Sequence, residues 1–176
     1  LASLILVLAL VLAMGSAALA DYYSTLLPVV TTAVPDFKDK TVILHSNDVH
    51  GAIDGYAYMP ALRDKILSQG ATDVLVVDAG DFSQGGIYVS VNKGKAAIDM
   101  MNAAGYDVVT LGNHEFDYGF PKLMENLKDA KFQAICCNIY NDATGETILP
   151  PSTIIETKSG MKIGFVGVET PETASK

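Results

Sequence analysis

The chain has 176 residues and a formal net charge of −8, from 20 acidic and 12 basic side chains. This length is enough for one domain of ordinary size with an apolar core. An acidic chain lacks the basic surface through which proteins bind DNA or RNA, so the composition argues against a nucleic-acid partner. Negative charge also attracts divalent cations, although net charge alone does not show a metal site.

Residues 1–20 carry no charged side chain, consist mostly of Leu, Ala and Val, and end in Ala18-Leu19-Ala20. Small residues at this spacing after a Gly-Ser break are typical of a signal-peptidase site. We therefore predict a signal peptide, and export to the periplasm, the cell surface or the medium. A membrane anchor is the alternative, because about twenty apolar residues can span a bilayer. No initiator Met or basic segment precedes Leu1, so we expect the sequence to be truncated at its start.

Strands and helices alternate after a leader at residues 21–40, and residues 41–176 form the predicted domain. This alternation predicts an α/β fold, with helices on both faces of a mostly parallel sheet and right-handed crossovers. Two later β-rich runs, at 152–157 and 161–168, predict a hairpin. The periodicity places strands at residues 41–46, 73–78, 107–111 and 132–138, and helices at 57–68, at 91–104 and from Pro121.

Three of the predicted strands end in side chains that can bind metal ions. Asp48 and His50 follow the first strand, Asp81 follows the second, and Asn113 and His114 follow the third. Ligands of open α/β sheets bind beyond the carboxyl ends of the strands, where loops distant in sequence meet. Oxygen and imidazole donors suit Zn²⁺, Mn²⁺, Fe or Co better than metals that prefer thiolates. The sequence therefore predicts one metal site at this edge.

The chemistry of such a site is that of phosphoryl transfer. The two carboxylate oxygens of Asp81 can bridge two ions about 3.5–4 Å apart, which clamp the attacking and leaving oxygens and acidify a bound water. His114 and Asp117 are three residues apart, so the carboxylate can orient the imidazole. An oriented imidazole can stabilise the developing phosphoryl charge or assist the leaving alkoxide.

Three segments in this order resemble the 5′-nucleotidase family of calcineurin-like metallophosphoesterases. They are Ile-Leu-His-Ser-Asn-Asp-Val-His-Gly at residues 43–51, Asp-Ala-Gly-Asp at 78–81 and Gly-Asn-His-Glu-Phe-Asp at 112–117. The resemblance covers residues 41–170 and implies a layered fold of parallel sheet flanked by helices. It also implies an exported enzyme that hydrolyses nucleotide phosphate esters with two divalent metal ions.

The same resemblance implies a role for each site residue. Asp48 and His50 would hold one ion, and Asp81 would bridge to the second. Asn113 would serve the second ion and contact the substrate phosphate together with His114. His114 and Asp117 would form the catalytic dyad.

The family completes its metal site with later histidines, including a Gly-His-x-His-type motif, whereas this chain has only His45, His50 and His114. We therefore expect the fold to be incomplete at its C-terminus, with further ligands and the nucleoside-binding domain beyond Lys176. The expected partner is a small nucleotide or related ester, with no membrane partner beyond the signal peptide or a lost anchor. Other substrates of the same family are alternatives, namely 2′,3′-cyclic nucleotides, nucleotide sugars and sulfur esters. A non-catalytic exported metal-binding module is the remaining alternative.

Four neighbouring side chains receive lesser predictions. His45 is expected to be structural rather than a ligand, because it lies within the first strand. Asp78 is expected to support the site rather than bridge ions. Glu115 is expected to turn outward or to cap a loop, and Gln84 is a candidate substrate contact.

Overall fold

The structure, a computed structural model, describes residues 35–175 and contains a four-stranded parallel sheet. Its strands lie side by side in sequence order: β1 (Thr41–Ser46), β2 (Asp73–Asp78), β3 (Val108–Thr110) and β4 (Gln133–Ile135). Ser46 lies opposite Asp78, so β1 and β2 end at the same level. The predicted parallel sheet is confirmed, with β3 and β4 shorter than the apolar runs that indicated them.

Helices connect the strands at α1 (Met59–Ser68), α2 (Ile87–Ser90), α3 (Lys95–Ala104) and α4 (Phe120–Leu127). The predicted helix at 91–104 begins only at Lys95, because Gly94 has a left-handed backbone with φ 86°. A Cβ at Gly94 would lie 2.8 Å from the Cβ of Ser83, so the turn before α3 requires glycine. The same helix ends at Gly105, whose φ of 76° is the common left-handed helix stop.

The core lies between the helices and one face of the sheet. Leu44, Val76 and Val109 alternate to this face and are almost fully buried. Ile66 of α1 and Met101 of α3 are buried in the same cluster, to which α2 adds Val89 and α4 adds Leu127. The expected parallel sheet flanked by helices is confirmed, and Leu123 of α4 packs in a second, smaller cluster with Leu111 and Cys136.

A hairpin contacts the sheet on its other side. It consists of β5 (Ser152–Glu156) and β6 (Lys162–Val166), which pair in antiparallel fashion as the sequence predicts. Ser159 in its turn donates hydrogen bonds to Asp73 of β2 through its backbone NH and its hydroxyl. A Cβ at Gly167 would lie 2.5 Å from the carbonyl oxygen of Ile135, so the chain after β6 runs directly against β4.

No helix within residues 35–175 is long and apolar enough to cross a lipid bilayer. The predicted signal peptide and most of the leader lie outside the described residues. Short 3-10 helices at Ile53–Tyr58, Asn113–Phe116 and Pro171–Ser175 complete the described elements, and the second of these carries part of the candidate site.

Candidate metal centre

The turns that follow β1, β2 and β3 contact one another at the carboxyl edge of the sheet. The backbone NH of Asp48 donates to the carbonyl oxygen of Gly80 at 3.0 Å, and that of His50 donates to the carbonyl oxygen of Asp81 at 2.9 Å. The third turn joins them where the NH of His114 donates to Oδ1 of Asp81 at 2.9 Å. The three turns therefore meet at one place, as parallel pairing predicts.

Three candidate ligands have left-handed backbone conformations. The φ angles are 51° at Asp48, 46° at His50 and 60° at Asp81, in a described chain with only five such non-glycine residues. This conformation costs about 1–2 kcal/mol for a residue with a side chain. Glycine at these positions would remove that cost. Residues with side chains that keep a strained backbone are typical of functional sites, where the side chain itself is needed.

Three side chains form a group that could hold a metal ion. His50, Asp81 and His114 each present one donor atom, and these atoms lie within 4.8 Å of one another. The two imidazole rings stand edge to face, with centroids 4.8 Å apart and planes at 73°. All three residues are half-buried, so an ion can reach them from solvent. Imidazole nitrogen and carboxylate oxygen fit Zn²⁺ or a similar divalent ion.

The other predicted ligands lie on the same turns but outside this group. Asp48 is exposed, and its carboxylate accepts a hydrogen bond from the side-chain amide of Asn47 at 2.6 Å. Asn113 is half-buried and begins the 3-10 turn that carries His114. The sequence assigned His114 to the dyad and the phosphate, whereas the structure also brings it beside His50 and Asp81.

His114 and Asp117 are in direct contact. The distance from Nδ1 of the imidazole to Oδ2 of the carboxylate is 2.6 Å. The 3-10 turn Asn113–Phe116 allows this contact, because residues three apart lie above one another in that geometry. With Nδ1 engaged by Asp117, Nε2 is the imidazole nitrogen left to face other groups.

Glu115, the residue after His114 in the same 3-10 turn, is buried and only 2% exposed. Its carboxylate accepts hydrogen bonds from four backbone NH groups, those of Asp81, Phe82, Ser83 and Gly112. Burial raises the pKa of Glu115 to about 7 in spite of these donors. The prediction that Glu115 turns outward is therefore wrong, and the alternative that it caps a loop is confirmed.

Asp78 lies beneath the site in a buried polar network. It accepts hydrogen bonds from the Ser46 hydroxyl and, at 2.8 Å, from the NH of Gly80. The Ser46 hydroxyl also lies 2.7 Å from the hydroxyl of Tyr106. Burial raises the pKa of Asp78 to about 8, so its carboxyl group is largely neutral at pH 7. These contacts agree with a supporting role for Asp78.

Glu169 is a buried acidic residue near the site that the sequence did not single out. One carboxylate oxygen accepts hydrogen bonds from Thr170 and Thr173, while the other has no hydrogen-bond partner among the described residues. Burial raises the pKa of Glu169, and the charge of Asp81 raises it further, so the two carboxylates lie near each other. Glu169 lies just after β6 and outside any motif, so the sequence did not indicate that it lies near Asp81.

His45 and Gln84 remain outside the cluster. His45 lies in β1, is half-buried, and has its pKa lowered by burial, which agrees with the structural role predicted for it. Gln84 is half-buried in the turn after β2, and its contact with substrate stays a prediction.

A cavity of about 770 Å³ opens beside the turn that carries the dyad. Phe116, which lies between Glu115 and Asp117, forms part of its wall. Aromatic and amide side chains contribute much of the remaining lining, among them Phe120, Asn138, Tyr140 and Asn141. A planar organic group could stack and form hydrogen bonds in such a space.

Comparison with known proteins places this geometry in a family. Residues 41–171 match the family model described as calcineurin-like phosphoesterase. Protein UshA of Escherichia coli is 31% identical over 157 residues, which cover 81% of this chain and 28% of that protein. A 5′-nucleotidase of Vibrio cholerae is 34% identical over 146 residues, covering 77% of this chain and 26% of that protein.

A solved structure shows the same fold. The 5′-nucleotidase precursor from Thermus thermophilus superposes with a TM-score of 0.66 at 29% identity, over 75% of this chain and 29% of that one. This chain therefore spans about a quarter of the length of the curated relatives it matches. The matched motifs include all three turns of the site. The chain belongs to the calcineurin-like phosphoesterase family, with 5′-nucleotidases among its relatives.

Proposed function

We propose that the protein hydrolyses phosphate esters of nucleotides with the help of divalent metal ions. The observation that carries this proposal is the meeting of His50, Asp81 and His114 beside the contact between His114 and Asp117. A metal-binding group next to an oriented imidazole suits attack on a phosphate ester. Relatives named 5′-nucleotidase support the choice of substrate.

The proposed metal site has two parts. Asp48 and His50 would hold the first ion, Asp81 would be shared between the two, and Asn113 would serve the second ion and contact the substrate phosphate. His114 lies close enough to His50 and Asp81 to act at the same phosphate. Divalent ions such as Zn²⁺, Mn²⁺, Fe or Co would supply Lewis acidity and lower the pKa of a water molecule in this site.

The dyad contributes charge and orientation. The carboxylate of Asp117 fixes the imidazole of His114 through Nδ1 and stabilises its protonated form. Nε2 then donates to a phosphoryl oxygen in the transition state or gives its proton to the departing alkoxide. The cavity beside Phe116 would receive part of the organic group of the ester.

Two further elements of the proposal rest on the sequence. The apolar segment at residues 1–20 supports export to the periplasm, the cell surface or the medium. A nucleotide 5′-monophosphate is the leading substrate, and cyclic nucleotides and nucleotide sugars are the competing ones within the family.

The test uses the protein expressed at its full natural length. We expect it to release phosphate from AMP in the presence of Mn²⁺, Co²⁺ or Zn²⁺, and to lose this activity with a chelator. Asp81→Asn should lower kcat/KM at least about 100-fold, because it weakens a ligand of the metal site. Asp99→Asn is a matched control on the exposed surface of α3, where Asp99 pairs with Lys95.

Activity that survives complete metal removal would contradict the metal-dependent mechanism. A panel containing a nucleotide monophosphate, a 2′,3′-cyclic nucleotide and a nucleotide sugar identifies the substrate class. Metal binding without turnover of any member would instead support the non-catalytic module.

A further inference from the structure

The carboxylate of Glu115 joins two of the turns that carry candidate ligands. Its Oε2 accepts from the NH of Asp81 at 2.7 Å, in the turn after β2, and from the NH of Gly112 at 2.6 Å, in the turn after β3. Its Oε1 accepts from the NH groups of Phe82 and Ser83 at 2.9 and 3.0 Å. Oε2 therefore binds the turns after β2 and β3, and Oε1 binds two further NH groups of the turn after β2.

The two turns are packed so closely that only glycine fits between them. A Cβ at Gly80 would lie 2.4 Å from the nitrogen of Gly112, and a Cβ at Gly112 would lie 2.4 Å from Oδ1 of Asp81. Backbone dipoles brought together in this way need an acceptor, because a buried NH without a partner is costly. Glu115 supplies that acceptor for four of them.

The same contact region fixes Asp81, the proposed bridging ligand, relative to His114 of the dyad. The NH of His114 donates to Oδ1 of Asp81 at 2.9 Å, and the hydroxyl of Ser83 donates to the carbonyl oxygen of His114 at 3.3 Å. Asp81 and Ser83 both have their NH groups on Glu115. The distance between Asp81 and His114 therefore depends on how far the Glu115 side chain reaches.

We propose that Glu115 is a positioning residue whose carboxylate holds the turn that carries Asp81 against the turn that carries Asn113 and His114, and through this contact sets the affinity of the site for divalent metal. This inference rests on the proposed function, because it assumes that divalent metal ions bind at the turns after β1, β2 and β3. It goes further by making a buried side chain that is not itself a proposed ligand a determinant of metal affinity. The length of the side chain matters as well as its charge.

The experiment measures Mn²⁺ affinity by calorimetry and the visible absorption spectrum of bound Co²⁺ in the full-length protein. Glu115→Gln keeps the length but replaces one acceptor oxygen with an NH₂ donor that opposes two backbone NH groups. Glu115→Asp keeps the charge but is one methylene shorter. We expect both to weaken Mn²⁺ binding by about 10- to 100-fold and to alter the Co²⁺ spectrum.

Two control variants separate positioning from general effects. Glu125→Gln removes a carboxylate on α4 that pairs with Lys122 at the surface, and it should leave Mn²⁺ affinity unchanged. Ile98→Val lowers stability from the core of α3 without touching either turn, and it should also leave the affinity unchanged. Wild-type Mn²⁺ affinity in both Glu115 variants would overturn the proposal. A loss of Mn²⁺ affinity in Glu115→Gln but not in Glu115→Asp would also overturn it, because the charge and not the position would then be the cause.

Hydrogen exchange on the unmutated protein keeps the test decisive if a Glu115 variant does not fold. The amide protons of Asp81, Phe82, Ser83 and Gly112 should exchange slowly, as a group, although they lie in turns rather than in regular structure. Exchange as fast as that of an exposed loop would overturn the proposal. A wild-type protein that shows this protection but binds no divalent ion would contradict the proposed function and the effect on metal affinity. The four hydrogen bonds to Glu115 would then stand as a structural feature only.

Discussion

The two ends of the parallel sheet use carboxylates in different ways. At the amino end, Asp107 pairs with Arg63 at 2.5 Å and accepts the NH of Val76 at 2.8 Å. Asp73 at the same end accepts hydrogen bonds from Thr41 and Ser159. These acidic groups are satisfied by the protein itself, and they tie strands, helix and hairpin together.

At the carboxyl end, the proposed ligands Asp48 and Asp81 have no such lysine or arginine partner among the described residues. Their neighbours are imidazoles, an amide and backbone NH groups. Negative charge left without protein cations at one end of a sheet is available to a bound cation. The comparison separates carboxylates that stabilise the fold from those proposed to serve the reaction.

The largest effect should come from Asp117→Asn. The amide can still contact Nδ1 of His114, but it cannot stabilise a protonated imidazole as a carboxylate does. We expect kcat to fall by about 10²- to 10⁴-fold in steady-state assays, the range for a positioned acid or base. Mn²⁺ affinity should change little, because Asp117 contacts His114, whose proposed role is at the substrate phosphate and not as a metal ligand. An equal loss of metal affinity would show that Asp117 acts on the metal site instead.

At the amino end of the sheet we expect a smaller effect, on stability and not on catalysis. Asp107→Asn removes the charge that pairs with Arg63 and weakens the acceptor for the NH of Val76. We expect the free energy of unfolding to fall by about 1–3 kcal/mol in urea titrations. The kcat of the folded protein should stay at the wild-type value. A variant with normal stability and reduced kcat would remove the distinction between the two ends.

The sequence was sufficient to predict the turns and their convergence. Parallel strands that end in Asp, Asn or His bring those side chains to one edge, whatever their separation in sequence. The contact between His114 and Asp117 followed from their spacing of three residues. The roles of Asp48, His50, Asp81 and Asn113 as ligands stay predictions, and the structure adds that the first three have left-handed backbones.

Side-chain direction could not be predicted in the same way. Glu115 directly follows His114 in the 3-10 turn, where successive side chains leave the axis about 120° apart, and it is the one that becomes buried, which the pattern of residue types does not specify. The start of α3 depends on Gly94, where close approach to Ser83 overrides an otherwise helical pattern.

The smallest expected effect is a change in the pH dependence of stability at Asp78. This carboxyl group lies at the carboxyl end of the sheet, is buried, and is hydrogen-bonded to Ser46 and Gly80. Its pKa of about 8 in the folded protein exceeds the ordinary value of 3.8, so the folded state binds more protons than the unfolded state between these limits. Its contribution to stability is therefore fully present below about pH 4 and is lost as the pH rises through about 8. The slope per unit of pH is at most about 1.4 kcal/mol.

Asp78→Asn should flatten this dependence, because an amide keeps an acceptor for Gly80 and does not titrate in this range. Urea titrations of both proteins at several pH values from 5 to 8, without metal, measure the difference. Glu115, with a raised pKa of about 7, also contributes to the slope, so the variant should lose part of it rather than all. Parallel stability curves for wild type and Asp78→Asn would mean that Asp78 is charged in the folded protein. The carboxyl end would then carry one more negative charge available to a cation than the present comparison assigns to it.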